Sequence, residues 1–369
     1  MTAHRIGLVL CSSAAKPMPS TRVAVVNMLP FMRSAGLDPR ILFDPPQESE
    51  TPDLTGVAKR AVEAGCQVVV LQKVHGAGSV ALARELAVAG VSTVYAVCDW
   101  IDLHMVEATD ATVVVTEYLS SLCPATLLSR IHVVHDGIER PEVYKSDWGS
   151  GVGSPVHPLQ SVLVTSAALD RLPVLGHPPP WLKVRVVGRY ASGLRRWSET
   201  RWKWATMPPG ARLEYLRFLI NHRIECVPWD REGVYREMMK SDIAIIPVET
   251  SAGEPAPGVP PAWKLKSENR LTMKMSMGLP VIATPIPSYE AVIEHGVNGF
   301  LARTNRDWQA CLAALRDPDR RREMGLAARA SVARKFSMQE QAAKLIRVLQ
   351  ESAHLRNFTH SRLLLQPEP

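Results

Sequence analysis

Short apolar runs rich in β-branched residues alternate along the chain with longer stretches of mixed character. In the first 150 residues these runs are Ile6–Leu10, Arg40–Phe43, Gln67–Leu71, Ser92–Val97, Thr112–Thr116 and Ile131–Val134. Their unbroken hydrophobicity is typical of strands that are buried on both faces, as in parallel sheets. The stretches between them predict helices, one of which we expect to start at Ser79 as N-cap and to end at Gly90. Such alternation predicts a doubly wound α/β domain.

The same pattern begins again after Ser161. It predicts strands at Ser161–Thr165, Val184–Gly188, Ile224–Val227, Ile243–Pro247, Pro280–Thr284 and Asn298–Ala302, and helices near Arg212–His222, Asp230–Lys240, Lys266–Met277 and Asn305–Arg316. The segment Lys145–Gln160 has the Gly, Ser and Pro content of a linker. We therefore expect Rossmann-like lobes at 1–150 and 160–336, facing each other across a cleft, and a C-terminal helix and tail at 337–369. Ser337 opens that last helix with a capping-box pattern.

Composition narrows the classes of protein. The 369 residues are 46% hydrophobic and 21% charged, which is ordinary for a globular protein and argues against disorder. No apolar run reaches the ~18–20 residues of a membrane span. The net charge of +7 favours anionic partners such as nucleotides or an acidic membrane surface, and it is too small to indicate nucleic acid. Six cysteines without a CxxC pair predict reduced thiols and a cytoplasmic location.

Several motifs in the second half follow one another in a recognisable order. They are Val227–Asp230, Ser241–Pro247, Lys266–Leu271, Gly278–Thr284 and Glu290–Phe300. Together they resemble the C-terminal lobe of family 4 glycosyltransferases, a retaining group within glycosyltransferase group 1, and the match is good over residues 224–335. The N-terminal half resembles the family more faintly, at Ser20–Arg22, Cys98–Asp99 and Asp136–Gly137.

The resemblance implies a GT-B fold, with two Rossmann-like lobes and mainly parallel sheets. It also implies transfer of a sugar, with retention, from a UDP- or GDP-sugar to a glycan or lipid-linked acceptor in polysaccharide or glycoconjugate biosynthesis. The nucleotide sugar would be a co-substrate, and no cofactor or catalytic metal is expected. The alternative is a non-catalytic GT-B protein that binds a sugar or nucleotide, or that serves as a partner subunit.

The basic segment at the start of the predicted helix Lys266–Met277 is the candidate donor site. A departing diphosphate needs positive charge, and a helix N-terminus supplies N–H groups and a partial positive charge. The candidate binding residues are Lys264, Lys266, Ser267, Glu268, Asn269 and Arg270. Arg270 has the donor geometry to hold a phosphate with two hydrogen bonds. The alternative is that these are solvated charges around an ordinary helix start.

The chain departs from the family pattern at two places. Two glutamates separated by seven residues usually flank this helix start, and the corresponding positions here are Leu265 and Met273. Glu268 or Glu254, the latter in a loop rich in Pro and Gly, could replace one of them. The family also carries basic residues just after the first strand of this lobe, where this chain has only Arg171.

Candidate acceptor and catalytic residues in the N-terminal half lie after predicted strands. Asp99 follows the strand Ser92–Val97, and His104 lies close by and could transfer a proton. Together with Glu254 they form the candidate catalytic set. Asp102 and His75, the latter in a glycine-flanked loop, are further candidates for this region.

The segment Lys183–Arg217 carries nine Lys and Arg residues against two Asp and Glu residues, so that its net charge equals that of the whole chain. It also contains several tryptophans, among them Trp197, Trp202 and Trp204. Three interpretations stay open: contact with a nucleotide or acceptor, peripheral contact with an anionic membrane, or a surface helix with its tryptophans packed inward.

Overall fold

The computed structural model describes residues 4–165, 178–188, 223–250 and 258–363, with only the backbone described for 355–363. Between these ranges it describes residues 172, 174–175, 201, 204–207, 209, 212–213, 215–216 and 255–256. Glu254, Arg171 and most of the basic Trp-containing segment lie outside the described residues. The predicted helix near Arg212–His222 lies largely outside them as well.

The chain forms two compact units. The first contains Met1–Glu139, Leu265–Ser267 and Phe336–Pro369, and the second contains Arg140–Lys264 and Glu268–Lys335. Residues 140–150, which the sequence pattern groups with the first lobe, thus belong here to the second unit.

The described helices and strands follow the predicted alternation. The first unit begins with β1 (His4–Val9), α1 (Pro19–Ala24), α2 (Leu29–Ser34), β2 (Leu37–Phe43), α3 (Val57–Glu63), β3 (Val68–Gln72), α4 (Ala77–Val88), β4 (Ser92–Val97), α5 (Leu103–Ala108), β5 (Ala111–Val114), α6 (Glu117–Ser121) and β6 (Ile131–Val133). The second unit contains β7 (Leu159–Val164), β8 (Leu182–Gly188), β9 (Ile224–Pro228), α7 (Gly233–Met239), β10 (Ile243–Ile246), α8 (Asn269–Ser276), β11 (Val281–Ala283), α9 (Pro287–Glu290), β12 (Phe300–Leu301), α10 (Asn305–Ala314) and α11 (Pro318–Ala333). The final helix, α12 (Met338–Leu363), belongs to the first unit.

Each unit is built on one six-stranded sheet. The strand orders are β2-β1-β3-β4-β5-β6 and β12-β11-β10-β7-β8-β9, and every pair of neighbours is parallel. Each predicted strand has its counterpart in one of the two sheets. The prediction of an α/β fold with two Rossmann-like, parallel-sheet lobes is therefore confirmed.

The first sheet shows why the apolar runs are continuous. Val69 and Leu71 belong to the core on one side of the sheet, whereas Val68 and Val70 belong to the core on the other side. Since successive strand residues point to opposite faces, both faces of β3 have to be apolar. The helix α12 helps to cover the second face. It begins as predicted, with the Ser337 hydroxyl accepting a hydrogen bond from the Glu340 N–H at 3.1 Å.

The predicted start of α4 is wrong. This helix begins at Ala77 with Gly76 as its N-cap, and Ser79 is buried within the helix. Gly76 has a φ of 82°, a conformation that glycine adopts without strain. Its N–H donates to the Asp102 carboxylate at 3.1 Å. A contact with a residue 26 positions away thus fixes the helix start, and the local sequence does not contain that information.

A strap formed by residues 145–153 is held tightly within the second unit, although its composition is that of a linker. The Lys145 ammonium donates to the carbonyls of Met239 and Ser241, and the Trp148 indole N–H donates to the Gly278 carbonyl at 2.6 Å. The strap therefore bonds to segments that precede β10 and β11.

Arg321 on α11 is the main anchor of this strap. Its fully buried guanidinium donates to five main-chain carbonyls, those of Trp148, Gly149, Gly151, Leu315 and Arg316. The distances range from 2.7 Å to 3.3 Å. Burial lowers the pKa of the guanidinium, while Asp242 and Asp317 act in the opposite direction.

We predict that Arg321→Met lowers the free energy of unfolding by at least about 3 kcal/mol, because several buried carbonyls lose their donor at a cost of about 1–3 kcal/mol each. Urea unfolding followed by circular dichroism measures this change. The control is Arg322→Met, the exposed neighbour on the same helix, for which we expect a change of within about 0.5 kcal/mol. Equal effects of the two substitutions would contradict the anchoring role of Arg321.

Candidate functional site

A cluster of charged side chains lies in the first unit where β3 and β4 end. Lys73 directly follows β3, and its ammonium contacts the Glu50 carboxylate at 2.6 Å and the Asp99 carboxylate at 2.9 Å. Its backbone has a φ of 58°, which is uncommon for a residue other than glycine. Its N–H donates to the Ala96 carbonyl of β4 at 2.8 Å, which aligns the two strand ends.

Burial by itself would lower the pKa of Lys73, but hydrogen bonds to Glu50 and Asp99 outweigh it and raise the pKa. Lys73 is thus a permanent cation that fixes two carboxylates. Asp99, a predicted catalytic residue, is held by an ion pair and keeps a partly exposed carboxylate that can accept hydrogen bonds from a ligand.

An aromatic surface adjoins these carboxylates. The Trp100 ring, 48% exposed, meets the His75 ring edge-on at a centroid distance of 5.0 Å. His75 also contacts Glu50 through its ring Nε2 at 3.4 Å and through its backbone N–H. An exposed ring bordered by carboxylates is an arrangement that suits a sugar, because the ring packs on C–H groups and the carboxylates accept from hydroxyls.

The predicted His104 lies at the start of α5. Asp102 caps this helix, with its carboxylate accepting from the His104 N–H at 3.0 Å. The His104 side chain is 84% exposed, and its Nδ1 lies 3.3 Å from the same carboxylate. Asp102 is thereby a structural residue, because it also holds Gly76, whereas the imidazole of His104 is accessible to solvent.

The structure thus places Asp99, Asp102, His104 and His75 in the same unit, around the ends of β3 and β4. Lys73, Glu50 and Trp100 were not among the site residues predicted from the sequence. Lys73 could have been found because it lies two residues after a predicted strand, as Asp99 does. Glu50 carries no such signal, since it lies in a loop after β2.

The segment Ser20–Arg22, part of the faint resemblance, is engaged within the first unit. Thr21 is fully buried and donates to the Gln72 side chain at 2.9 Å. Arg22 forms two hydrogen bonds with Glu139, at 2.8 Å and 3.0 Å.

The candidate donor residues lie at and before the start of α8. Lys264 groups with the second unit and stands over the Trp263 ring at 5.4 Å, whereas Lys266 and Ser267 group with the first unit. Lys266 and Arg270 are exposed. Asn269 is the first residue of the helix. The first turn of α8 thus carries the exposed Arg270 side chain together with the partial positive charge of the helix start.

Glu268 is buried just before this helix, and its carbonyl accepts from the N–H groups of Leu271 and Thr272. Its charge affects the pKa of Tyr289 on α9, a side chain that is also buried. Burial raises the pKa of Tyr289 to about 12, with Arg270 lowering and Glu268 raising it. Glu268 is therefore a buried residue that influences the buried Tyr289, and it is not an exposed charge in the first turn of the helix.

Lys274, one turn further along α8, is fully buried. Its ammonium donates to the Arg270 carbonyl at 2.9 Å. Burial, together with the nearby Arg270 charge, lowers its pKa to about 7. It directly follows Met273, which occupies the position of a family glutamate, and it was not among the residues predicted from the sequence.

Among the described residues, no group of three or more His, Cys, Asp or Glu side chains is arranged to hold a metal ion. In the same part of the chain, every helix is too short or too polar to cross a membrane. All six cysteines are free thiols.

Comparisons with known proteins bear on both units. Residues 199–317 match a family model described as glycosyl transferases group 1. No curated protein matches the chain in sequence. The fold is similar to that of a glycosyltransferase from Rickettsia africae ESF-5, with a TM-score of 0.67 and 12% identity over 96% of this chain and 100% of that one.

Two further solved structures are similar over nearly their whole length. HepE of Anabaena, in complex with UDP and glucose, has a TM-score of 0.63 and 11% identity over 94% of this chain and 99% of that one. Sucrose-phosphate synthase from Thermosynechococcus elongatus has a TM-score of 0.64 and 12% identity over 94% of this chain and 98% of that one.

These likenesses establish the class of protein: the chain is an α/β protein with the GT-B fold. The predicted resemblance to glycosyltransferase group 1 is confirmed over residues 199–317, which include the candidate donor residues from Lys264 to Arg270.

We predict that Lys274 makes stability depend on pH. Its pKa is about 7 in the folded chain against 10.5 for an ordinary lysine, so between these values the unfolded chain binds more protons. The free energy of unfolding should therefore rise with pH in this window, by up to about 1.4 kcal/mol per pH unit. Lys274→Met removes this contribution, so its stability relative to wild type should be greatest at pH 7 and below.

Urea midpoints of wild type and variant at pH 7 and near pH 10 test this prediction. Lys240→Met, at an exposed lysine of the same unit, is the control and should show no such difference. If the difference between Lys274→Met and wild type is the same at both pH values, Lys274 does not titrate in this window.

Proposed function

We propose that the protein is a glycosyltransferase that takes a sugar from a nucleoside diphosphate sugar. The observation that carries this proposal is the match of residues 199–317 to glycosyltransferase group 1 on a GT-B fold. The fold similarity to HepE, whose solved structures contain UDP, UDP-glucose, or UDP and glucose, supports a UDP-sugar as donor. A GDP-sugar is the other donor that the resemblance implies.

In the proposed reaction, Lys266 and Arg270 bind the diphosphate and stabilise the charge that develops as it leaves. The N–H groups at the start of α8 add to this stabilisation. The acceptor hydroxyl attacks from the face that the diphosphate leaves, which retains the configuration, and a phosphate oxygen takes its proton. This mechanism needs no nucleophile from the protein.

We assign the acceptor to the surface formed by Trp100, Asp99 and His75 in the first unit. The exposed indole offers a face for a sugar ring, and the Asp99 carboxylate, fixed by Lys73, can accept a hydrogen bond from a hydroxyl. The acceptor is then a glycan or the glycan part of a lipid-linked molecule. Cytoplasmic action, polysaccharide biosynthesis and peripheral membrane contact stay predictions from the sequence.

A second candidate function is a GT-B protein that binds a nucleotide or sugar without catalysis. The observation in its favour is that Leu265 and Met273 stand where the family carries glutamates, and that Leu265 is buried among apolar residues of the first unit. Slow release of UDP or GDP from a nucleotide sugar without acceptor would support the enzyme. Binding without hydrolysis or transfer would favour the second candidate.

We predict that Lys266→Ala weakens binding of UDP or GDP at least tenfold, because a charge-assisted contact to phosphate contributes about 1.5–3 kcal/mol. Titration calorimetry measures the affinity. Uridine and guanosine, which lack phosphates, should bind variant and wild type alike. Lys240→Ala is the matched control and should leave all affinities unchanged. Normal diphosphate binding by Lys266→Ala would place the phosphate site elsewhere, with Arg195–Lys203 as the next segment to test.

We predict that Trp100→Ala abolishes the binding of acceptor sugars and leaves the affinity for UDP or GDP unchanged. Saturation-transfer NMR with a panel of mono- and disaccharides measures the first, and calorimetry the second. The control is Leu103→Ala, at a neighbouring exposed apolar side chain. If the sugar signals persist in Trp100→Ala, the acceptor does not bind at this surface.

A further inference from the structure

A pocket in the second unit lies at the opposite edge of its sheet from the start of α8. It has a volume of about 260 Å³ and is formed where the strap meets α11. Trp148 in its wall bonds to the Gly278 carbonyl, which precedes β11, and Lys145 bonds to the Ser241 carbonyl, which precedes β10. The pocket is therefore at the amino ends of these strands, whereas α8 starts on the side of their carboxyl ends.

Two arginines of α11, Arg322 and Arg329, line this pocket. They are seven residues apart, which places them on the same face of the helix about 10.5 Å apart along its axis. Gly325 lies between them on that face. A Cβ there would come within 2.2 Å of the Gly278 oxygen and 2.3 Å of the Trp148 Nε1, so only glycine lets α11 approach the strap this closely.

The two arginines differ from the others on this helix. Arg320 is near Glu323 and donates to the Gly296 carbonyl, and Arg321 is occupied by its five carbonyls. Within the part of the chain that the structure describes, neither Arg322 nor Arg329 has a carboxylate within 4 Å, the distance that defines an ion pair. Arg329 instead lies 3.6 Å above the centre of the Tyr144 ring, which orients its guanidinium without neutralising it.

The remaining wall adds a further cation and aromatic surface. Lys145 also lines the pocket, with its ammonium bonded to the Met239 and Ser241 carbonyls and influenced by the charges of Asp242 and Asp147, and the lining itself contains no acidic residue. The exposed Tyr144 ring and the Trp148 indole supply flat surfaces. Two guanidiniums that line an aromatic-walled pocket, neither with a described carboxylate within 4 Å, match a ligand that carries more than one negative charge.

We propose that this pocket, which we call the Tyr144 pocket, binds a small multivalent anion of the phosphate class. The site is separate from the proposed donor site and does not depend on the proposed function. A soluble phosphate compound and the phosphate headgroup of a lipid share the chemistry that the two arginines recognise. Binding there would contact α11 and the strap that Arg321 anchors.

The test uses inorganic tripolyphosphate as the probe, titrated calorimetrically into the full-length protein in the presence of saturating UDP. We expect wild type to bind it, with an affinity that falls as salt is raised. Arg322→Gln should weaken binding at least tenfold, and Arg322→Gln combined with Arg329→Gln should abolish it. The matched control is Arg334→Gln, at an exposed arginine at the end of the same helix, which should bind like wild type.

Two further measurements complete the experiment. Urea unfolding should show that Arg322→Gln, at an exposed side chain, is as stable as wild type, so that lost binding reflects the site. Co-sedimentation with phosphatidylcholine vesicles, with and without phosphatidylglycerol, identifies the source: binding that depends on phosphatidylglycerol and on Arg322 indicates a headgroup, and tripolyphosphate binding alone indicates a soluble ligand.

The proposal is overturned if wild type binds neither tripolyphosphate nor anionic vesicles, or if Arg322→Gln and the double variant bind them like wild type. UDP titrations of the same variants separate this outcome from the proposed function. A variant that loses UDP binding is impaired at the donor site. A variant that keeps UDP binding and loses tripolyphosphate binding is impaired at the Tyr144 pocket.

Discussion

Both sheets are parallel and covered on both faces, and this constraint decides where polar chemistry can occur. Val68 and Val70 face one core while Val69 and Leu71 face the other, so these four positions of the strand have no room for a polar side chain. Since parallel strands all point the same way, their carboxyl ends meet at one edge, and polar groups gather there. The ion pair of Lys73 with Asp99 forms where two such strands end. In the second unit the same reasoning places the start of α8 at that edge.

Among the described residues of the second unit, three cations are buried, and each bonds to main-chain carbonyls. Arg321 can satisfy its charge because its planar guanidinium offers several donors, and five carbonyls converge on it. Lys145 has two such carbonyls. Lys274 bonds to one, that of Arg270, whose charge also repels it. The number of oxygens available thus explains why Arg321 anchors the strap as a cation, whereas the pKa of Lys274 falls to about 7.

The sequence predicted whatever depends on local pattern and failed where distant contacts decide. The strands followed from their apolar runs, and α8 from its position before Gly278–Thr284. The start of α4 at Gly76 depends on Asp102, and the cluster around Lys73 depends on Glu50, 23 residues earlier in a loop. The strap looked like a linker because its carbonyls are satisfied by side chains of other elements, and a polar, glycine-rich segment carries no mark of those partners.

The departures from the family pattern affect the recognition of the diphosphate and of the ribose of a nucleotide differently. Recognition of a diphosphate needs cations and N–H groups, and the start of α8 retains Arg270 and the helix terminus. Recognition of ribose hydroxyls needs an acceptor such as a carboxylate, and Met273 stands where the family has one. Glu268 is buried, and its charge raises the pKa of Tyr289. If the Glu268 side chain turned towards the ribose, the buried Tyr289 hydroxyl would no longer have this charge beside it. On the proposed function, affinity would therefore come mainly from the phosphates, and discrimination between nucleotides would depend on contacts outside this helix.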